Sequence, residues 1–143
     1  MKKIRIGLIG LGLMGKEFAS SVARWCNMSD DLPVPEITAV CDKNVGAIKW
    51  FTDHVSTIKL TTSNYKQLLE SNEVDAVYCA VPHNLHEEFY TDIIRAGKHL
   101  LAEKPFGIDK AANGNNMKAL KENPNVFVRC SSEFPYYPGA QRL

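Results

Sequence analysis

The chain has no excess of charge of either sign. Its 143 residues hold 17 Lys plus Arg against 16 Asp plus Glu, a formal net charge of +1. That balance gives no electrostatic reason to expect nucleic acid or a membrane surface as a partner. Long hydrophobic runs are missing too, because Arg5 and glycines break the apolar stretch near the N-terminus. The stretch has neither the h-region of a signal peptide nor the length of a membrane span. Cysteine is scarce and scattered: Cys26, Cys41, Cys79 and Cys130 stand far apart, without metal-ligand spacing. Cys41, Cys79 and Cys130 fall in apolar strand-like segments, which reads as buried reduced thiols rather than disulfides or a zinc site. Repeats and low-complexity tracts are absent. What remains is a soluble, cytoplasmic globular chain, 45% hydrophobic, large enough for one domain with a core of its own.

What is present is an alternation of strand and helix patterns. Strands are expected over residues 4–9, 36–41, 57–60, 76–81, 99–102 and 126–130, mostly as near-continuous apolar runs. Such runs suit a parallel sheet buried on both faces. Helical patterns fall over residues 16–25, 45–51, 65–70, 85–96 and 110–122, with Ser63 and Asn64 as cap candidates and Gly97 as a stop. Residues 27–35, with Pro33 and Pro35, read as a turn-rich connector. The alternation predicts an α/β doubly wound parallel sheet of about six strands with helices on both faces. Residues 1–130 make that domain. Residues 131–143, rich in aromatics and proline, read as a connector into a further domain that is otherwise absent.

The segment Gly10-Leu11-Gly12-Leu13-Met14-Gly15 follows the first strand and opens a helix. Gly10 suits the tight turn, Gly12 a close approach of backbone to a pyrophosphate, and Gly15 close packing of helix on strand. The free N–H groups and positive dipole end of that helix would then face the phosphates. The ligand class implied is a dinucleotide, NAD or NADP.

Three further clusters lie where strands end. Asp42 closes the second strand, 27 residues beyond Gly15 where ~20 is usual; the connector accounts for the surplus. There it would accept hydrogen bonds from the adenosine ribose and repel a 2′-phosphate, favouring NAD. Lys43 beside it suits that phosphate and keeps NADP open, while a plain helix-capping role for Asp42 is the competing reading. Val81, Pro82, His83 and His86 follow the fourth strand and border the expected cofactor. Either histidine is as well explained as a solvated or capping loop residue, and Asn84 as a helix cap. Glu103-Lys104-Pro105 follows the fifth strand and is either an exposed ion pair of little consequence or a catalytic element. Lysine in a partly desolvated cleft gives up its proton more readily, because burial disfavours its charged form. Lys104 would then accept a proton from a substrate hydroxyl as hydride leaves the same carbon.

Taken in order, Gly10 to Gly15, Asp42, Val81-Pro82 to His86, and the block from Ala96 through Gly97-Lys98-His99 to Glu103-Lys104-Pro105 closely resemble the N-terminal half of the glucose–fructose oxidoreductase / inositol 2-dehydrogenase (Gfo/Idh/MocA) family. The block ending at Pro105 is the most specific part, and the resemblance runs from about residue 3 to 129. It implies a Rossmann-like NAD(P)-binding domain of an oxidoreductase acting on sugars, cyclitols or related polyols. It also implies that Lys104 binds a substrate hydroxyl and takes part in proton transfer, with Glu103 and Pro105 as supports. His86 matches the histidine that follows the strand-four proline. Two departures stand out. Val81-Pro82-His83 replaces the commoner Thr-Pro-Asn, and the tail matches only the crossing into the family's second domain, with Glu133 where arginine is frequent. The rival expectation is a truncated NAD(P)-binding module without activity. Loss of a partner domain would also leave Phe134, Tyr136 and Tyr137 exposed and favour a homo-oligomer.

Overall fold

In the computed structural model, which describes residues 2–27 and 32–142, six parallel strands form one sheet in the order β3-β2-β1-β4-β5-β6. The strands are β1 (Lys3–Ile9), β2 (Val34–Cys41), β3 (Leu60–Thr62), β4 (Ala76–Cys79), β5 (His99–Glu103) and β6 (Val128–Ser131). The helices are α1 (Leu13–Ala23), α2 (Val45–His54), α3 (Tyr65–Glu70), α4 (His86–Arg95) and α5 (Lys110–Glu122). The sheet grows outward from β1 in one direction through β2 and β3, then from β4 in the other. Strand order therefore reverses between β1 and β4, and this is where a doubly wound sheet opens its crevice. The Rossmann-like fold expected from the sequence is the one observed.

The strands feed two separate cores, β1, β2, β4 and β5 contributing to both. Leu8, Ile37, Val40 and Tyr78 pack with Ala19 of α1 and Phe51 of α2. Ile9, Ala39, Val77, Cys79 and Leu100 pack with Leu68 of α3, Ile93 of α4 and Ala119 of α5. Burial on both faces is why the strands read as continuous apolar runs rather than alternating ones. Among the described residues, no helix is long and apolar enough to cross a membrane. No group of three or more His, Cys, Asp or Glu side chains that could hold a metal ion occurs among them.

Several boundaries differ from those read from sequence. β2 begins at Val34 and carries Pro35 inside it. Val34 N–H donates to Lys2 O at 2.9 Å, so position 35 faces the other edge. There β3 pairs only with Ala39–Cys41, and no bond is lost to proline. Residues 28–31 of the expected connector lie outside the described residues. β3 falls at Leu60–Thr62 rather than 57–60, because Thr57 and Lys59 bond to the Ile37 and Thr38 carbonyls instead of opening a ladder. Helix α1 starts at Leu13, earlier than the expected Lys16. The tail forms two short 3-10 turns, Phe134–Tyr136 and Ala140–Arg142, with Phe134 65% and Tyr136 62% exposed.

Candidate dinucleotide site

A cleft of about 800 Å³ lies at the carboxyl ends of the central strands. Its walls include Gly10 and Gly12 after β1, Asp42 and Lys43 after β2, Ser63 and Tyr65 after β3, and Val81, Pro82 and His83 after β4. Seven of the residues expected at a cofactor site are thus brought together at the point where strand order reverses.

The glycines differ in what demands them. Gly10 has φ +88°, and a Cβ there would sit 2.4 Å from the Ala80 carbonyl oxygen. A Cβ on Gly15 would sit 2.5 Å from the Gly10 oxygen, so the loop closes only with glycine at both places. At Gly12 a Cβ would meet nothing within 4 Å. Nothing in the fold requires glycine at that position, so the open space beside it fits backbone contact with a ligand. Helix α1 begins there with Gly12 as its cap, no capping side chain and no acidic residue in its first turn. By contrast α2, α3 and α5 are capped by the side chains of Asn44, Asn64 and Asp109. An uncapped helix start opening on a cleft is suited to a diphosphate, and the residues present fit that group.

Asp42 braces this loop. Its Oδ2 accepts from the Leu11 N–H at 2.7 Å and its Oδ1 from the Asn44 N–H at 2.8 Å. Asn44, not Asp42, caps α2. The Leu11 amide is therefore already engaged, and its side chain is in the core at 1% exposure; the expected cofactor contact from Leu11 is not free to form here. Leu13 and Met14 are exposed at the start of α1. Cys41, on the cleft wall, has its thiol pushed up to about 11 by burial and then by the Asp42 charge, which keeps it protonated rather than nucleophilic.

The second motif divides into buried supports and one exposed side chain. His86 does not line the cleft. It is fully buried, with Nδ1 2.7 Å from the Pro105 carbonyl and Nε2 3.0 Å from that of Val81. Both ring nitrogens face carbonyl oxygens of this chain, so in place of the expected polar contact to a cofactor His86 ties the start of α4 to the loops that carry Val81 and Pro105. Glu103 is also buried, accepting from the Tyr78 hydroxyl at 2.6 Å and from the Lys104 N–H at 3.3 Å. Lys104 and Pro105 are exposed just beyond β5, and neither is among the cleft-lining residues. The ammonium of Lys104 makes no hydrogen bond or ion pair among the described residues. Asn84 lies inside a 3-10 turn, His83–Leu85, and caps nothing.

Two aromatic contributions were not visible in the sequence. Tyr65 stacks on Phe89 at 4.1 Å and both line the cleft. The Tyr65 hydroxyl, with one proton to donate, lies 2.7 Å from the Asp92 carboxylate and 3.1 Å from that of Glu88. Burial, and then those two carboxylates, push its ionisation above the ordinary tyrosine range. Tyr78 was readable only as an apolar strand residue. A tyrosine within a buried strand needs a hydroxyl partner, and that need was the available signal for its pairing with Glu103.

Residues 4–131 match the family described as "Oxidoreductase family, NAD-binding Rossmann fold", GFO_IDH_MocA. The chain belongs to this family and is its NAD-binding domain. It is 40% identical over 78 residues to dTDP-3,4-didehydro-2,6-dideoxy-alpha-D-glucose 3-reductase of Actinomadura kijaniata, covering 54% of this chain and 23% of the relative. It is 26% identical over 105 residues to inositol 2-dehydrogenase/D-chiro-inositol 3-dehydrogenase of Lactiplantibacillus plantarum, 73% of this chain and 28% of the relative. The crystal structure of a 3-ketoreductase from Actinomadura kijaniata in complex with NADP and TDP-benzene superposes with a TM-score of 0.81 at 28% identity. It covers 99% of this chain and 41% of that one. The chain thus spans less than half the length of each of these proteins.

Proposed function

We propose that this chain holds the dinucleotide of an NAD(P)-dependent oxidoreductase acting on a CH–OH group of a sugar, cyclitol or related polyol. The observation that carries the reading is the uncapped start of α1 opening on the cleft beside Gly12, with no internal contact that needs glycine there. Bound at that start, nicotinamide dinucleotide supplies hydride acceptance or donation. The chain's own residues grip the diphosphate through backbone amides and orient the ligand against the Val81–His83 wall. Lys104, as the neutral amine, takes the proton of the substrate hydroxyl as hydride leaves the same carbon. Its side-chain nitrogen makes no bond among the described residues and is free to meet substrate, whose binding would supply the desolvation this role needs.

Asp42 favours NAD. Its oxygens have lone pairs left for the ribose hydroxyls, and its charge opposes a 2′-phosphate. Lys43, also on the cleft wall, supports NADP as the second reading, in line with the NADP bound in the Actinomadura kijaniata ketoreductase. A homo-oligomeric, cytoplasmic enzyme is part of the same proposal.

The test is a panel of cyclitols and sugars with NAD and NADP, using the longest natural form of the protein. Dinucleotide reduction with at least one polyol is expected, and Lys104→Ala lowers turnover ~10²–10⁴-fold. Absence of turnover with every polyol and both dinucleotides overturns the proposed reaction. A fall of only a few-fold removes Lys104 from proton transfer.

A further inference from the structure

Lys104 is an exposed side chain on a tightly held stretch of backbone. The Tyr90 hydroxyl donates to the Glu103 carbonyl at 2.8 Å, a His86 nitrogen meets the Pro105 carbonyl at 2.7 Å, and the Asn116 amide donates to the Phe106 carbonyl at 2.5 Å. Tyr90, His86 and Asn116 are each 0% exposed. Carbonyls in surface turns are ordinarily left to water. Here those on both sides of Lys104 are gripped by interior side chains of α4 and α5.

His86 alone of these three reaches out of the segment. Its second nitrogen lies 3.0 Å from the Val81 carbonyl, on the cleft wall. Its ring is held by stacking on Tyr90 at 4.6 Å and lies edge-on to His83, a cleft residue, at 5.2 Å. We propose that His86 is a positioning residue that locks the Lys104-bearing turn to the Val81–His83 wall, so that the proton acceptor and the dinucleotide share one rigid frame. The proposal rests on the reading of the cleft as a dinucleotide site. Both partners of the ring are carbonyl oxygens, so a neutral ring donates its one N–H to one of them and packs against the other, and only a doubly protonated ring donates to both. In either form an N–H makes the bridge and an apolar filler of the same shape does not. A displacement of ~1 Å between such loops is enough to lower a rate ~10²-fold, which is why a lock between them has functional weight.

The experiment uses the 143-residue chain, His86→Ala, and two small rings offered to the hole it leaves: imidazole, and thiophene, which fills space without donating. Backbone amide resonances of Val81, His83, Lys104 and Phe106 report the lock without any cofactor, and NADH titration reports its effect on the site. Expected are shifts or broadening at both loops in His86→Ala and an NADH affinity lower by about tenfold. Imidazole restores both readouts and thiophene neither. Unchanged loop resonances in the folded variant, or equal rescue by thiophene, overturn the positioning role. If wild type fails to bind NADH, the dinucleotide reading falls while the amide resonances still decide the lock. Should His86→Ala not fold, His86→Phe keeps the stack on Tyr90 without a donor, and wild-type loop resonances in that variant overturn the proposal.

Discussion

The Tyr78 hydroxyl donates to Glu103 Oε1 across 2.6 Å in the protein interior, joining β4 to the last residue of β5, which immediately precedes Lys104. Phe18 stacks on the Tyr78 ring at 4.2 Å, so α1 covers the pair. Burial first, and then the neighbouring Glu103, push the tyrosine's ionisation above its ordinary range. Tyr78→Phe leaves the Glu103 carboxyl with the 3.3 Å bond from Lys104 N–H as its one remaining partner among the described residues. The expected cost is about 1–3 kcal/mol, read from urea denaturation. An unchanged midpoint would show that the hydroxyl bond does not support this corner.

The glycine loop separates folding from binding. Gly10→Ala and Gly15→Ala each drive a Cβ to within 2.5 Å of backbone oxygen, so both lower stability and abolish dinucleotide binding. Gly12→Ala meets open space; its stability stays within about 1 kcal/mol of wild type, yet binding is lost. Thermal melts alongside calorimetry distinguish the three. A Gly12→Ala chain that binds normally would remove the pyrophosphate role of that position.

Acid should loosen the β1–β4 corner. Arg5 makes a two-bond fork to Asp75, at 3.0 and 2.5 Å, and this hydrogen bonding holds the Asp75 carboxyl at about 2, below its ordinary value of 3.8. The folded chain therefore binds fewer protons than the unfolded chain through this window. The contribution is complete above about pH 4 and is lost as pH falls toward about 2. The stability gap between wild type and Asp75→Asn is expected to shrink over that range. A gap independent of pH would contradict the fork.

Thiol labelling should sort the cysteines by burial. Cys26 is exposed, whereas Cys41 and Cys79 are buried, with burial pushing their thiols up to about 11 and about 12. Cys26 is expected to react first, and Cys41 and Cys79 only on unfolding. Rapid labelling of Cys79 in the native chain would contradict the two-faced core.

The fold was legible because its signals are local and repeated. Apolar runs of strand length separated by helical periodicity define the sheet, and Gly10, Gly12 and Gly15 mark its first crossover. Helix α5 coincides with the span expected from its pattern, Lys110–Glu122, and Asp109 caps it, its side chain accepting from the Ala112 N–H at 2.8 Å. Pro35 misled because only tertiary context shows that its missing N–H faces an edge which β3 leaves bare. Thr57 misled because its β-branched character suits a strand, whereas here it bonds to the neighbouring strand through its hydroxyl. Within the site, seven of the cleft residues are legible from their places after strands, whereas Tyr65 and Phe89 are not. The inward turn of His86, the first residue of α4, and of Glu103, the last of β5, is not legible, since a polar residue at the end of an element carries no sign of which way it faces. Their partners, Val81, Pro105 and Tyr78, lie 5, 19 and 25 residues away in sequence.

The most direct test is calorimetric titration of NADH into the 143-residue chain and into its Gly12→Ala variant. Saturable one-to-one binding in the first and none in the second, with both folded, is the predicted result. Equal heats in the two chains, or none in wild type, would contradict a diphosphate gripped at the start of α1.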